Sequence, residues 1–519
     1  MVISTTNLKK RWHLWNVVWI LAVFKLFIHF LTNSEYGFHR DEFLYLALGE
    51  HLSWGYMEVP PVIAVFGKAA QSLGGHLFAV RLFPALIGSI TVLLIGVMVK
   101  DLGGSKWAQI MACLAFILSP AFMRSNTLFQ PVSFDQFCWF LSAFFIVRLI
   151  KFQEPKYWYY LGVVAGLGFL TKYSILFFYA AFFFAILLTP QRQWLKTRYP
   201  YFALGIAFAI ALPNLIWQYQ HNLPVIKHFD ELSRTQLLHV QPWGFLQSQL
   251  RFHHAALAVW LAGLLYLFFF AKLSEYRILG WIYVFIILIL VLLKGKNYYS
   301  LGAYPMLMAA GGIAFENFLK TKPAFLKPVV AFLLIIFTLP LLPYGLPVLS
   351  IENMQRYGAW MKDQFRYAGP LRWEDGKIHA LPQDYADMHG WEEMAAKVGK
   401  LYHSLSPAEQ KSCLVYGGGY AHAGSINYYR KKYNLPEVYS FNGSYLMWAP
   451  DSVDFDRQIM IDDVLQTASR WFAFVQLVDS VQNPYAREKG YIYYRADPQI
   501  EVKRKWVEIA AERKGEFNF

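Results

Sequence analysis

The chain has 519 residues, of which 56% are hydrophobic, 18% aromatic and only 16% charged, and its mean hydropathy is +0.30. Those proportions exclude an ordinary soluble globular domain, and because the apolar residues fall in runs of helix-spanning length they describe a polytopic membrane protein. The net charge of +14 falls largely on alternate loops, so membrane topology accounts for much of it and no nucleic-acid partner is implied.

In chain order, the first apolar run, 15–31, follows Lys9, Lys10 and Arg11 and precedes no small-residue cleavage site. It reads as a retained first helix, not a signal peptide. A long loop, 34–79, comes next and contains "DEFLYLALGEHL". That segment is apolar on most faces with Asp41 in its first turn, which predicts a helix lying in the membrane interface with its N-terminus turned toward a cavity. Further spans are predicted at 80–99, 107–123, 133–150, 158–170, 175–188, 201–217, 254–270, 278–293, 301–318 and 325–344, about eleven with the first. Lys100 and Lys106, Lys151 and Lys156, Arg192, Lys196 and Arg198, Lys272 and Arg277, and Lys320, Lys322 and Lys327 mark the cytoplasmic loops. A cytoplasmic N-terminus and an odd helix count then put the C-terminus outside.

Topology does not explain the charges at the other ends of the spans. Arg40, Arg124, Lys172, Lys294 and Lys296 lie there with Asp41, Glu42, Glu58 and Asp135. Snorkelling and mutual ion pairing is one reading of such residues; a functional site is the other, and their convergence on one face favours it. The second long outer loop, 218–251, mixes His221, His228, Asp230 and Glu231 with apolar residues. His and carboxylates can ligate zinc, but this spacing is not the two-His helical motif, so no metal or other cofactor is indicated, although a divalent ion stays open.

From about residue 350 the composition turns mixed polar. Strand-like runs at 413–416, 471–478 and 491–494 and helix-like runs at 390–405 and 423–433 predict a small α/β domain over 350–519, outside the membrane and after a membrane domain over 1–349. Cys113 and Cys138 fall inside spans and Cys413 is the one cysteine beyond them, leaving this domain no internal disulfide. "VYGGGYAHAG" is Gly-rich and opens a helix but matches neither nucleotide fingerprint, and a strand-to-helix turn is its expected use.

Five segments, "FHRDEFLYLALGEHLSWGYMEVPPVIAVF", "GLGFLTKYSILF", "PNLIWQYQHNLP", "KGKNYYSLGAYPMLMAAGG" and "GGYAHAGSINYYRKKYNLPEVYSFNGSYLMWAP", resemble in this order the bacterial glycosyltransferases of family 39. That family sits in the superfamily of protein O-mannosyltransferases and the lipid A aminoarabinose transferase. The resemblance implies a GT-C fold in the plasma membrane, with the active site and the soluble domain on the outer face. It also implies transfer of a sugar from a polyprenyl-phosphate donor, without a cofactor, to an acceptor outside the cytoplasm. The family's catalytic acid falls on Asp41, followed by Glu42, and its second acidic position on Asp135; its Lys and Tyr before the tenth helix match Lys296 and Tyr299. The aminoarabinose transferase has Glu-Lys-Pro in the first loop. Here Glu58, Val59 and Pro60 keep the Glu and lack the Lys, which argues against aminoarabinose as the sugar.

The chemistry of the residues agrees. An acceptor hydroxyl must be oriented and partly deprotonated, which a carboxylate at Asp41 would do. The departing lipid phosphate needs positive charge and donors, for which Lys296, Tyr299, Arg124 and Lys172 are the candidates. The rival class is a transporter of a lipid or small anion. Against it, the ionisable residues cluster on one face and not at the midplane. Sugar and acceptor are left undetermined.

Overall fold

The computed structural model describes residues 5–235, 241–466 and 468–519. The side chains of Lys9, Lys10 and Arg11, and residues 236–240 of the second outer loop, lie outside the described residues. Each of the eleven apolar runs contains a helix: α1 (Thr5–Thr32), α4 (Leu77–Asp101), α5 (Lys106–Ile117), α7 (Pro131–Phe152), α8 (Lys156–Thr171), α9 (Ile175–Leu187), α10 (Tyr199–Gln220), α13 (Leu257–Phe269), α14 (Arg277–Leu292), α15 (Tyr304–Phe318) and α16 (Leu326–Thr338). Between them lie α2 (Arg40–Glu50), α3 (Val62–Ser72), α6 (Pro120–Ser125), α11 (Pro224–Thr235) and α12 (Pro242–Arg251). Among the described residues, five helices could cross a membrane by length and apolar composition, or up to seven if two sharply bent pairs each count as one.

Two boundaries differ from expectation for backbone reasons. The run 107–123 is not one helix. Pro120 lacks an N–H and drives Ser119 into an extended conformation, so the chain breaks between α5 and α6. The run 325–344 is interrupted after Thr338, where Pro340 falls in a short 3-10 turn. As expected, 158–188 is two helices, broken at an extended Lys172 that brings its side chain to the end of the bundle. Where helices must approach closely, glycine permits it. A Cβ on Gly263 of α13 would strike the Leu307 carbonyl of α15, and one on Gly311 the Val259 carbonyl.

The chain after residue 350 forms α17 (Ile351–Phe365), α18 (Trp391–Ser404), α19 (Tyr420–Tyr429), α20 (Val502–Gly515) and a four-stranded sheet: β1 (Cys413–Gly417), β2 (Arg457–Asp462), β3 (Phe472–Asp479) and β4 (Tyr491–Pro498). The strand order is β1-β2-β4-β3. β1 and β2 are parallel, joined through α19, and the other pairings are antiparallel. β2 has no strong alternation and goes unpredicted; its neighbours on both sides supply its backbone partners. α19 starts at Tyr420, three residues earlier than its apolar pattern suggests.

The sheet has one core of its own with α20, around Leu414, Phe472 and Trp506, and another that it shares. Phe43 and Leu46 of α2, Tyr56, and Phe129 before α7 pack in one buried cluster with Trp391, Val415, Ile426, Ile459 and Ile492. α2 is therefore buried on nearly every face, between α3 and α19, where its sequence suggested a helix resting on lipid. Its placement is set by one ion pair. Glu42 and Arg81 are both wholly buried, and the guanidinium donates from Nε to Glu42 Oε1 and from Nη2 to Oε2, each at 3.0 Å. The remaining guanidinium donors go to the carbonyls of Asn33, Glu35 and Gly37. Glu42 in turn accepts the backbone N–H groups of His39 and Phe129.

Removing one charge of such a pair leaves the other buried and unpaired, at a cost of about 3–5 kcal/mol. Glu42→Gln should accordingly lower the unfolding midpoint of the purified protein, followed by tryptophan fluorescence, and Glu42→Leu with Arg81→Met should recover only part, because three carbonyls lose their donor. An unchanged midpoint for Glu42→Gln would contradict this account.

Candidate functional site

Asp41 occupies the first turn of α2. His39 caps that helix, its Nδ1 accepting the Asp41 N–H at 3.2 Å while its own N–H is taken by Glu42. Asp41 and Glu42 thus point in different directions. Glu42 turns inward to Arg81, whereas Asp41 faces a cavity of about 570 Å³ at the end of the helix bundle nearest the sheet. Its Oδ2 accepts from Gln130 Nε2 at 3.0 Å and its Oδ1 from the Tyr420 hydroxyl at 2.7 Å.

Glu58, Lys172, Lys296 and Tyr299 line the same cavity. Lys172 Nζ lies over the rings of Tyr298 and Tyr299, 5.1 and 4.6 Å from their centroids. Among the described residues neither Lys172 nor Lys296 is in an ion pair. Burial lowers the Lys296 ammonium from its ordinary value against the attraction of Glu374 and Asp41, as expected of a cation held in a site short of counter-charge. Asp135 does not line the cavity. It stands behind Lys172, accepting from the Ser174 hydroxyl at 2.7 Å and the Trp139 indole at 3.0 Å.

Arg124 is brought to a second cavity, of about 500 Å³, on the other side of Asp41. There its Nε donates to Asp384 at 2.7 Å and its guanidinium stacks on Tyr385. Arg40 and Arg487 line this space too, and both cavities share Asp41, Gln130, Lys296, Tyr298 and Tyr420. Lys294 is exposed and lines neither.

Glu58 is held by the C-terminal region: the Ser444 N–H donates to Oε1 at 2.8 Å and its hydroxyl to Oε2. Gly443 beside it adopts a φ of +57°, and a Cβ there would collide with the Glu58 carboxylate, so glycine is required on both counts. Gln130, Tyr420, Asn442 and Ser444 were not singled out from the sequence. Only Tyr420 carried a signal, as the residue closing the Gly-rich turn. His228 and Glu231 of α11 also reach the first cavity.

Two side-chain groups, His39 with Asp384 and Asp387, and His422 with Asp463 and Glu488, gather three ligand-type atoms within 4.8 Å. In both, Nδ1 of the ring accepts a backbone N–H, from Asp41 and from Gly419. The ring proton then sits on Nε2, so that atom offers no ligand lone pair; it faces the carboxylates at 3.8 and 3.9 Å in the first group and at 3.2 and 3.4 Å in the second.

A helix bundle whose end carries an acid-and-lysine cavity, closed by a small mixed sheet, defines a membrane protein of GT-C fold. The sequence profile of the family described as dolichyl-phosphate-mannose-protein mannosyltransferase matches residues 58–217. Lipid A galacturonosyltransferase RgtD of Rhizobium johnstonii is 26% identical over 208 residues, which are 39% of this chain and 43% of that protein, so the match spans less than half the relative's length. Two crystal structures of ArnT from Cupriavidus metallidurans are similar in fold. The one bound to undecaprenyl phosphate has 13% identity and the apo form 14%, each with a TM-score of 0.57 over 93% of this chain and 99% of theirs. The fold is therefore ArnT-like, and the resemblance to family 39 read from the sequence is borne out.

Burial raises the Glu58 carboxyl above its ordinary value, although the two Ser444 donors favour the charged form. A carboxyl raised in the folded state contributes stability below its unfolded value of 4.5, and that contribution is lost as pH rises through the raised value. Glu58→Gln should then gain stability relative to wild type as pH rises from 4.5 toward neutrality, read as the difference between the two unfolding midpoints; a constant difference would refute the assignment.

Proposed function

We propose that this protein is an integral membrane glycosyltransferase that moves a sugar from a polyprenyl-phosphate donor to an acceptor outside the cytoplasm. The observation that carries the reading is the common cavity of Asp41, Lys172 and Lys296, in which the two cations have no ion-pair partners among the described residues. The acceptor hydroxyl oxygen attacks the anomeric carbon as the bond from that carbon to the phosphate oxygen breaks. Its proton passes to Asp41, and the departing phosphate keeps the electron pair. Lys172, Lys296 and the Tyr299 hydroxyl stabilise the charge that develops there. Asp135 acts through Ser174 and Lys172, holding the ammonium toward the cavity. Val59, where the aminoarabinose transferase has Lys, lines the cavity without charge, and Lys172 and Lys296 supply the cations. Arg124, across Asp41 from them, belongs with Arg40 and Arg487 to the acceptor side. No metal or cofactor is assigned a step, and Glu42 serves the position of α2.

The relatives support this chemistry by what their descriptions say of them: mannosyl transfer from a dolichyl phosphate, galacturonosyl transfer to lipid A, and undecaprenyl phosphate bound to ArnT. We assign about eleven spans in a plasma membrane, a membrane domain over 1–349 and an extracytoplasmic domain over 350–519. The second of these follows from the first, because the bundle end that carries Asp41 is the end on which the sheet packs.

Asp41→Asn should lower sugar transfer by ~10²-fold or more while the protein stays folded and membrane-inserted. Transfer measured with the lipid-linked sugars extracted from cells lacking the protein checks this, and activity within a few-fold of wild type would remove Asp41 from the role. A reporter active only outside the cytoplasm should be active when fused after Phe519 and silent when fused after Lys322. The reverse pattern would overturn the sidedness.

A further inference from the structure

The Gly-rich turn after β1 ends in a residue that leaves its own domain. Gly418 N–H donates to the Ile461 carbonyl of β2 at 2.8 Å and Tyr420 N–H to Asn442 Oδ1 at 3.2 Å, which fixes the backbone where α19 begins. From there the Tyr420 side chain crosses to the N-terminus of α2 and donates to Asp41 Oδ1 at 2.7 Å, 379 residues away in sequence. Its ring is covered by the Arg40 guanidinium, 5.1 Å from the centroid. Arg40 is itself held by Glu488 at 3.1 Å, and Glu488 lies 3.2 Å from His422, two residues on in α19. The N-termini of α2 and α19 are thereby tied twice, once through the aromatic ring and hydroxyl and once through the Arg40, Glu488 and His422 chain.

We propose that Tyr420 is a positioning residue for Asp41, so that the C-terminal region completes the catalytic carboxylate and is more than a cover over the cavity. The inference rests on the reading of Asp41 as base. Gln130, from the segment before α7, and Tyr420, from the sheet region, each hold one carboxylate oxygen. Two donors on opposite oxygens remove the rotation of the carboxylate and aim its remaining lone pairs at the cavity. Burial and the neighbouring Asp41 raise the phenol well above its ordinary value, so it keeps its proton and acts as donor throughout the working range. The charged and titratable groups around Asp41 are His39, Arg40 and Tyr45 on its own helix or cap, Glu58 before α3, Lys296 and Tyr298 before α15, and Tyr420. Tyr420 is the one among these shown hydrogen-bonding the carboxylate with its side chain.

Tyr420→Phe removes the donor and keeps the ring. With the full-length protein and the polyprenyl-phosphate sugars extracted from cells lacking it, kcat should fall about tenfold, the equivalent of one good hydrogen bond. The donor KM should hold, and the acid limb of the kcat profile should move to higher pH because a contact favouring the carboxylate form is gone. Tyr428→Phe is the control: its hydroxyl donates to the Gly75 carbonyl at 3.1 Å across the same interface without reaching Asp41, and its pH profile should match wild type. A second arm needs no turnover: the effects of Tyr420→Phe and Asp41→Asn on the unfolding midpoint should be non-additive. Additive midpoints would overturn the contact. Non-additive midpoints with an unmoved acid limb, or with a raised donor KM at wild-type kcat, would overturn the positioning role while leaving Asp41 as base. An active Asp41→Asn would instead remove the base, and the proposal with it.

Discussion

The rest of the site depends on the buried pair of Glu42 and Arg81. A carboxylate and a guanidinium with no exposure are sustainable only if each lone pair and each N–H is taken, and here the fork, three loop carbonyls and two backbone amides do so. Because Arg81 belongs to α4 and the carbonyls to the turn after α1, the pair pins α2 to the helix bundle at its first turn. Successive helix residues diverge by about 100°, so fixing Glu42 inward leaves Asp41 turned out to the cavity. Two adjacent acids therefore divide into a buried, paired group and a cavity-facing one.

The cations divide in the same manner. Arg40, Arg124 and Arg487 are committed to Glu488, Asp384 and Asp387, and they shape the second cavity. Lys172 and Lys296 face the first without such partners among the described residues, Lys172 being steadied by tyrosine faces that attract a cation without neutralising it. A compact ammonium held this way remains available to an incoming anion, whereas the three guanidiniums already share their charge with carboxylates. Asp41 between the two spaces meets both.

The sheet region is part of this arrangement. It shares an apolar core with α2 and α3, clamps Glu58 through Ser444 and reaches Asp41 through Tyr420. Separating it would expose Phe43, Leu46 and Trp391 together and strip donors from two cavity-lining carboxylates, so core packing and site geometry are coupled through the same interface.

The sequence by itself located eleven apolar runs, each of which contains a helix, since a backbone in apolar surroundings must satisfy its own hydrogen bonds. It also marked Asp41, Glu58, Lys172, Lys296 and Tyr299, because ionisable and hydroxyl groups beside spans are costly enough to be conspicuous. It predicted three of the four strands, those with enough β-branched and aromatic residues to be read locally; β2 depends on its neighbours. Tertiary structure alone decided that Glu42 is an anchor, that Asp135 stands behind Lys172, that Arg124 lies in the other cavity, and that Gln130 and Tyr420 hold the Asp41 carboxylate. Each of these is a contact between segments about 40 to 380 residues apart. Local pattern carries no information on which side chains will meet at such separations, because the meeting is set by how packed helices and strands orient their faces.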